Sequence, residues 1–297
     1  MAHIISQKLK GTGVALVTPF NADLTIDFDG LTKLVNHQIE NGTNYLVIMG
    51  TTGESPTISA SEKRNIIDHV IKINNGKLPL ILGIGGNDTL KVVEQIKNEN
   101  LYVISAILSV SPYYNKPNQN GIFNHYTFLA DNSPLPIILY NVPGRTGSNI
   151  STETTLKLAQ HPNILGTKEA SGNFVQCMDI INQKPENFSV ISGDDAFTLP
   201  FLSFGMDGVI SVIANAYPKL FSTMVKNGLN NNFTEAQIQH YKLLDAMNLI
   251  FADGSPGGIK VILEKLGICQ SFLRMPLSPV SETVKNQLLT ANDAINS

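Results

Sequence analysis

Cysteine is scarce in this chain: Cys177 and Cys269 are the only two in 297 residues, and they lie far apart. A disulfide framework or a thiolate metal site is therefore disfavoured, and two free thiols in a reducing compartment are expected. The six histidines (His3, His37, His69, His125, His161 and His240) show no ligand spacing, and no metal motif occurs. Charged residues make up only 15% of the chain, with a formal net charge of −3 and scattered lysines and arginines. A nucleic-acid surface needs clustered cations, so that class is set aside. No apolar run reaches the roughly 18 residues of a membrane helix. The stretch Met1–Lys10 has neither an apolar core nor a cleavage signal, so a cytoplasmic protein is expected. No Gly-x-Gly-x-x-Gly follows the first β-rich run and no Gly-Lys-Ser/Thr loop occurs, which removes the main support for dinucleotide or P-loop binding.

What is present is a large apolar complement, 42% of the residues, enough to bury a sizeable core. Eight short β-rich runs recur: Gly13–Thr18, Tyr45–Gly50, Leu78–Gly83, Val103–Val110, Pro136–Asn141, Ile164–Lys168, Phe188–Gly193 and Gly208–Val212. Most are continuously apolar rather than alternating, the mark of parallel strands covered on both faces. Amphipathic helices lie between them. Leu31, Leu34, Val35 and Ile39 share one face, Ser59 and Glu62 form a capping box, and Ser151 caps a further helix. This alternation predicts an α/β fold, a (β/α)8 TIM barrel over residues 1–224. Beyond Met224 strand-like runs stop. Thr234 and Gln237 read as another capping box opening a long helix through Phe251, followed by helices near Gly258–Leu266 and Ser281–Ile295. A C-terminal helical appendage over 225–297 is expected.

In such a barrel chemistry sits just beyond the C-terminal strand ends. After the second run comes Gly50-Thr51-Thr52-Gly53-Glu54-Ser55, whose hydroxyls and N–H groups suit a small carboxylate, although a helix N-cap would use the same residues. Ser111-Pro112-Tyr113-Tyr114-Asn115-Lys116-Pro117 follows the fourth, with two tyrosines that also suit an interface. Tyr140-Asn141-Val142-Pro143-Gly144-Arg145-Thr146-Gly147 follows the fifth, pairing a phenol with an arginine suited to bidentate carboxylate recognition. The sixth run ends in Lys168, the seventh in Gly193-Asp194-Asp195, the latter pair more in keeping with helix capping than with acid–base work.

Lys168 is the candidate nucleophile. A lysine amine ordinarily titrates near 10.4 and is protonated at neutral pH; it becomes nucleophilic when burial or a neighbouring charge lowers that value by roughly two to three units. An amine, phenols, hydroxyls and one arginine together suit Schiff-base chemistry on a keto acid, with no metal or cofactor needed.

These loop sequences, with Gly166-Thr167-Lys168-Glu169 and Gly208-Val209-Ile210-Ser211-Val212, appear in the order and spacing of the dihydrodipicolinate synthase family of pyruvate-dependent class I aldolases, which the whole chain resembles. The resemblance implies a Schiff base between Lys168 and pyruvate, with aspartate semialdehyde as second substrate. Tyr140, Thr52 and Tyr114 would relay protons, Tyr114 from a neighbouring subunit of a homotetramer. Thr51 and Thr52 would hold the pyruvate carboxylate, Arg145 the carboxylate of the second substrate, and Gly193 and Ile210 would line the pocket. The sister N-acetylneuraminate lyases are the nearest rival; they typically have Ser-Thr in place of Thr51-Thr52 and lack the arginine at Arg145. A keto-acid-binding protein without turnover is the alternative of another class. Lysine-inhibited members bind the inhibitor near the subunit interface, and the matching positions here include Ser55, Gly85, Asn87, Lys91 and Tyr113. Lys91 stands where that pattern is acidic, and Ala60 and Lys63 replace histidines, so weak or absent inhibition by lysine is expected. Ser255-Pro256-Gly257-Gly258 departs from the family's usual Asn-Pro-Ile-Pro.

Overall fold

The computed structural model describes residues 9–297; residues 1–8, which carry most of the leading stretch discussed above and His3, lie outside the described residues. Eight strands form in order: β1 (Gly11–Ala15), β2 (Tyr45–Ile48), β3 (Leu80–Gly83), β4 (Ile104–Val110), β5 (Ile137–Asn141), β6 (Ile164–Glu169), β7 (Ser189–Ser192) and β8 (Gly208–Ser211). All pair in parallel with their sequence neighbours, and β8 closes onto β1. The expected (β/α)8 barrel is therefore observed, with each expected run falling on its strand to within a few residues.

The helices are α1 (Phe28–Glu40), α2 (Ala60–Asn74), α3 (Thr89–Asn98), α4 (Gln119–Asn132), the single turn α5 (Pro143–Thr146), α6 (Thr152–Leu158), α7 (Phe174–Gln183), α8 (Thr198–Ser203) and α9 (Pro218–Leu229) around the barrel. Then follow α10 (Phe233–Leu249), α11 (Gly257–Lys265) and α12 (Glu282–Asn296). The capping box at α2 is formed: Glu62 N–H donates to Ser59 Oγ (3.3 Å) and Ser59 N–H to Glu62 Oε2 (2.9 Å). Ser151 caps α6 as read, its Oγ accepting from Thr154 N–H at 3.2 Å. The box expected at Thr234 and Gln237 does not form: α10 starts at Phe233 with Asn232 as its N-cap, two residues before the expected one, and both residues lie inside the helix, which ends at Leu249. Met224 falls within the continuous helix α9, which packs on β1 and β8 as part of the barrel wall, so no break in the chain occurs there.

Two apolar clusters hold the fold. The larger lies between strands and helices and includes Val14, Leu46, Ile137, Leu139, Ile164 and Val190. The smaller fills the barrel interior with Ala15, Val47, Ile138, Tyr140, Leu165, Ile191 and Ile210. Each large aliphatic side chain so buried contributes roughly 1.5–3 kcal/mol before the conformational entropy cost is set against it. Among the described residues no helix is long and apolar enough to cross a membrane, and no group of three or more His, Cys, Asp or Glu side chains is placed to hold a metal ion.

Candidate active site

Most of the residues singled out as catalytic or carboxylate-binding converge on one cavity of about 420 Å³ at the C-terminal mouth of the barrel. Lys168, Tyr140, Thr51, Thr52 and Arg145 all line it. Lys168 is only 5% exposed, and its Nζ sits 4.3 Å from the centroid of the Tyr140 ring. Tyr140 and Lys168 are directly opposed across β5 and β6.

That opposition depends on an irregularity in β6. Ile137 pairs with Ile164 and Ile138 with Gly166, leaving Leu165 as an extra residue. Strict alternation from Leu165, which faces the interior, would turn Thr167 and Glu169 inward and Lys168 outward. The bulge restores the parity: Gly166 and Lys168 share the face of Ile138 and Tyr140, while Thr167 and Glu169 share that of Leu139 and Asn141. Bulges re-aim side chains in this way beside functional sites. Gly193, just after β7, packs against the stem of Lys168 but, like Ile210, is not part of the cavity wall. A Cβ there would lie 3.0 Å from Lys168 Cε and 2.7 Å from Ala170 Cβ, so only glycine lets the amine's stem pass.

The face opposite Lys168 holds a second feature that the sequence did not announce. Glu169 is 1% exposed and accepts from Asn141 Nδ2 (2.8 Å) and Gln176 Nε2 (3.1 Å). Burial pushes its carboxyl up to about 7, against the lowering effect of those amides. The Asn141–Glu169 bond ties β5 to β6 one residue beyond the Tyr140–Lys168 pair. Of the aspartates after β7, Asp194 accepts from Phe197 N–H (3.1 Å) in the turn before α8; the N-cap of α8 is Phe197, with no side-chain cap bond, so the expected capping by this pair does not form. Burial raises its carboxyl, partly offset by the nearby charge of Lys168. Asp195 reaches instead to β8's turn, accepting from Val212 N–H (3.0 Å) and Ile213 N–H (2.8 Å), and burial pushes it up to about 6.

Arg145 lies exposed at the cavity mouth on α5. Gly147 ends that turn in the left-handed region at φ +67°, and a Cβ on it would lie 2.6 Å from Lys116 Cε, so the loop after β4 rests directly on this one. Tyr113 lines the cavity, but Tyr114 does not: its side chain is 87% exposed and its backbone is left-handed at φ +69°. Ile210 also does not line the cavity; it points into the barrel's inner cluster at 1% exposure. Of the five positions matched to lysine binding, Ser55, Gly85 and Tyr113 line the cavity, whereas Asn87 and Lys91 do not. Lys91 turns to the helix cap Asp88, 3.6 Å from its Oδ2, and its side chain is 79% exposed. Lys63 is on the cavity wall instead.

The match to known proteins follows the same residues. The profile of the dihydrodipicolinate synthetase family matches residues 8–294. The chain belongs to the dihydrodipicolinate synthetase family. It is 52% identical over 283 residues to a 4-hydroxy-tetrahydrodipicolinate synthase of Flavobacterium psychrophilum, covering 95% of this chain and 97% of that relative. A chloride-inhibited dihydrodipicolinate synthase of Acinetobacter baumannii, complexed with pyruvate, superposes with a TM-score of 0.94 at 37% identity, covering 97% of this chain and 99% of that one. The dihydrodipicolinate synthase of Cyanidioschyzon merolae with lysine bound gives 0.93 at 36% identity over the same shares of the two chains.

Proposed function

We propose that this chain is a 4-hydroxy-tetrahydrodipicolinate synthase, condensing pyruvate with L-aspartate 4-semialdehyde at Lys168. The observation that carries the reading is a buried amine packed on a phenol ring, in a cavity that also presents two adjacent threonines and one arginine at its mouth. The neutral amine of Lys168 adds to the keto carbon of pyruvate; loss of one water leaves an iminium. The iminium makes the methyl protons acidic, and removal of one gives an enamine whose carbon attacks the aldehyde, forming the carbon–carbon bond. The resulting alkoxide takes up a proton. The amino group of the second substrate then adds to the iminium carbon and displaces Lys168, closing the ring. Tyr140 carries protons to and from these atoms, and Thr52, which lines the same cavity, is the next member of the relay. Thr51 and Thr52 orient the pyruvate carboxylate, and Arg145 binds that of the semialdehyde in a bidentate pair.

Tyr114 is read as completing the relay in a second copy of the chain within a homotetramer. A bulky residue held at positive φ with most of its ring in solvent is strained without a packing partner in its own chain, and a neighbouring copy would supply one.

The test is a coupled turnover assay with pyruvate and aspartate semialdehyde, run on wild type and Arg145→Ala, with sialic acid cleavage alongside. Turnover in wild type, with kcat/KM for the semialdehyde falling about 100-fold in the variant, supports both function and role, since one charged contact is worth about 3 kcal/mol. Pyruvate release from a sialic acid without synthase turnover would instead identify a lyase of the sister class.

A further inference from the structure

The C-terminal helices are far from Lys168 in sequence and make none of the cavity wall, yet the C-terminal segment reaches the threonine turn through one buried side chain, Glu54. Thr51–Gly53 is a single 3-10 turn closed by Glu54 N–H donating to Thr51 O (3.1 Å). Glu54 itself is left-handed at φ +55°, a conformation that a residue with a Cβ keeps only when its surroundings dictate it. Its side chain is fully buried, and both oxygens are engaged from the C-terminal segment: Lys260 Nζ donates to Oε1 at 2.5 Å, and Arg274 N–H to Oε2 at 3.1 Å.

Lys260 is equally buried. Its ammonium also donates to Phe272 O (2.8 Å) and lies 4.3 Å from the centroid of Phe20, in the loop after β1. Arg274 extends the same clamp. It donates to Thr57 O (2.9 Å) and Leu24 O (2.7 Å), pairs with Glu62 (2.5 Å), and stacks 4.7 Å from Phe20. A buried ion pair is a poor source of stability, because desolvating both charges offsets most of their attraction, and apolar residues of similar size fill such sites as well. What the pair does supply is directional, charge-assisted bonds that hold one backbone geometry.

We propose that Lys260 and Glu54 are positioning residues for the reaction: the C-terminal segment sets the geometry of the Thr51–Thr52 turn through them. The proposal rests on the synthase reading above. It makes the helical appendage part of the catalytic apparatus although none of its side chains touches substrate. Lys168, on the far wall, is held by the β5–β6 pairing and is independent of the clamp.

The experiment compares wild type with Glu54→Gln/Lys260→Met, which removes both charges at once and leaves no unpaired ion in the interior. Each enzyme is titrated with pyruvate and borohydride to count Lys168 sites that form the imine, and synthase turnover is expressed per trapped site. The expected result is a count of trapped sites close to wild type at saturating pyruvate, with turnover per site down at least 10-fold. A general loss of folding would lower trapping and turnover together and leave their ratio unchanged, and an unchanged ratio overturns the proposal. Glu54→Gln alone, which keeps the side chain's shape and removes the charge that Lys260 and the Arg274 N–H engage, serves where the double variant does not fold. A threefold or greater fall in turnover per site is expected, and a fall of less than 1.5-fold overturns the proposal. Absence of turnover in the wild type would overturn the synthase reading, and the proposal with it.

Discussion

Replacing Glu169 by glutamine removes a titration and leaves the shape. The carboxyl ordinarily titrates near 4.5 and in the folded chain near 7, because burial penalises its charged form. Between those values the folded state holds a proton that the unfolded chain has released. Stability therefore falls as pH rises through this window, and the loss is complete above pH 7. At about 1.4 kcal/mol per pH unit, the full effect is on the order of 3 kcal/mol. Asp195 acts in the same direction over a lower window, from its ordinary 3.8 to about 6. His125 opposes them: burial lowers it from 6.5 to about 4, so its contribution to stability rises with pH across that range. The wild-type profile alone mixes all three, whereas the difference between wild type and Glu169→Gln isolates one. Urea unfolding at fixed protein concentration, at pH 5 and pH 8, should show the variant gaining about 2.5 kcal/mol on wild type between the two pH values, since part of the window lies below pH 5. The gain is counted relative to any constant offset from an amide facing Asn141 and Gln176. With an unfolding entropy of about 2.1 cal/mol/K per residue over 297 residues, the same gain appears as a relative rise of about 4 °C in Tm. A stability difference independent of pH to within about 0.5 kcal/mol would refute the assignment of the shift to burial of a lone carboxyl.

Tyr140→Phe keeps the ring under Lys168 and removes the hydroxyl, so kcat should fall at least about 100-fold while borohydride still traps pyruvate on the enzyme; near-normal turnover would remove Tyr140 from the proton relay. Burial pushes both thiols, Cys177 and Cys269, up to about 12, so the native protein should resist a thiol-specific disulfide reagent at pH 8 and react only on unfolding. Free lysine should inhibit weakly, with a midpoint above about 1 mM, because Lys63 faces the cavity that an inhibitor ammonium would enter. Near-complete inhibition at sub-millimolar lysine would show that the cavity compensates that charge.

The eight-strand barrel was legible in the sequence because strands buried on both faces leave continuous apolar runs that repeat with the helices between them. The wall residues of the cavity were legible for a related reason. In this architecture the residues after each strand must meet at one mouth, so Thr51, Thr52, Tyr140, Arg145 and Lys168 could be grouped without knowing any contact. Where the reading slipped, local chemistry was ambiguous. Thr234 and Gln237 have the spacing of a capping box, but Asn232 takes the cap and the helix begins before them. Lys91, matched to an inhibitor site near a subunit interface, lies exposed beside Asp88 in the single chain.

The sequence by itself thus determined the element order, the closure into a barrel and which loops carry chemistry, since these follow from periodicity and chain direction. Tertiary structure alone decided which way particular side chains face. The extra residue Leu165 turns Lys168 inward and Glu169 outward, and no alternation rule applied to the run Ile164–Glu169 locates a bulge that exists only in pairing with β5. It also decided that Glu54 and Lys260, 206 residues apart, share one buried contact. Such pairs are set by packing among distant elements, a term that local propensity does not contain.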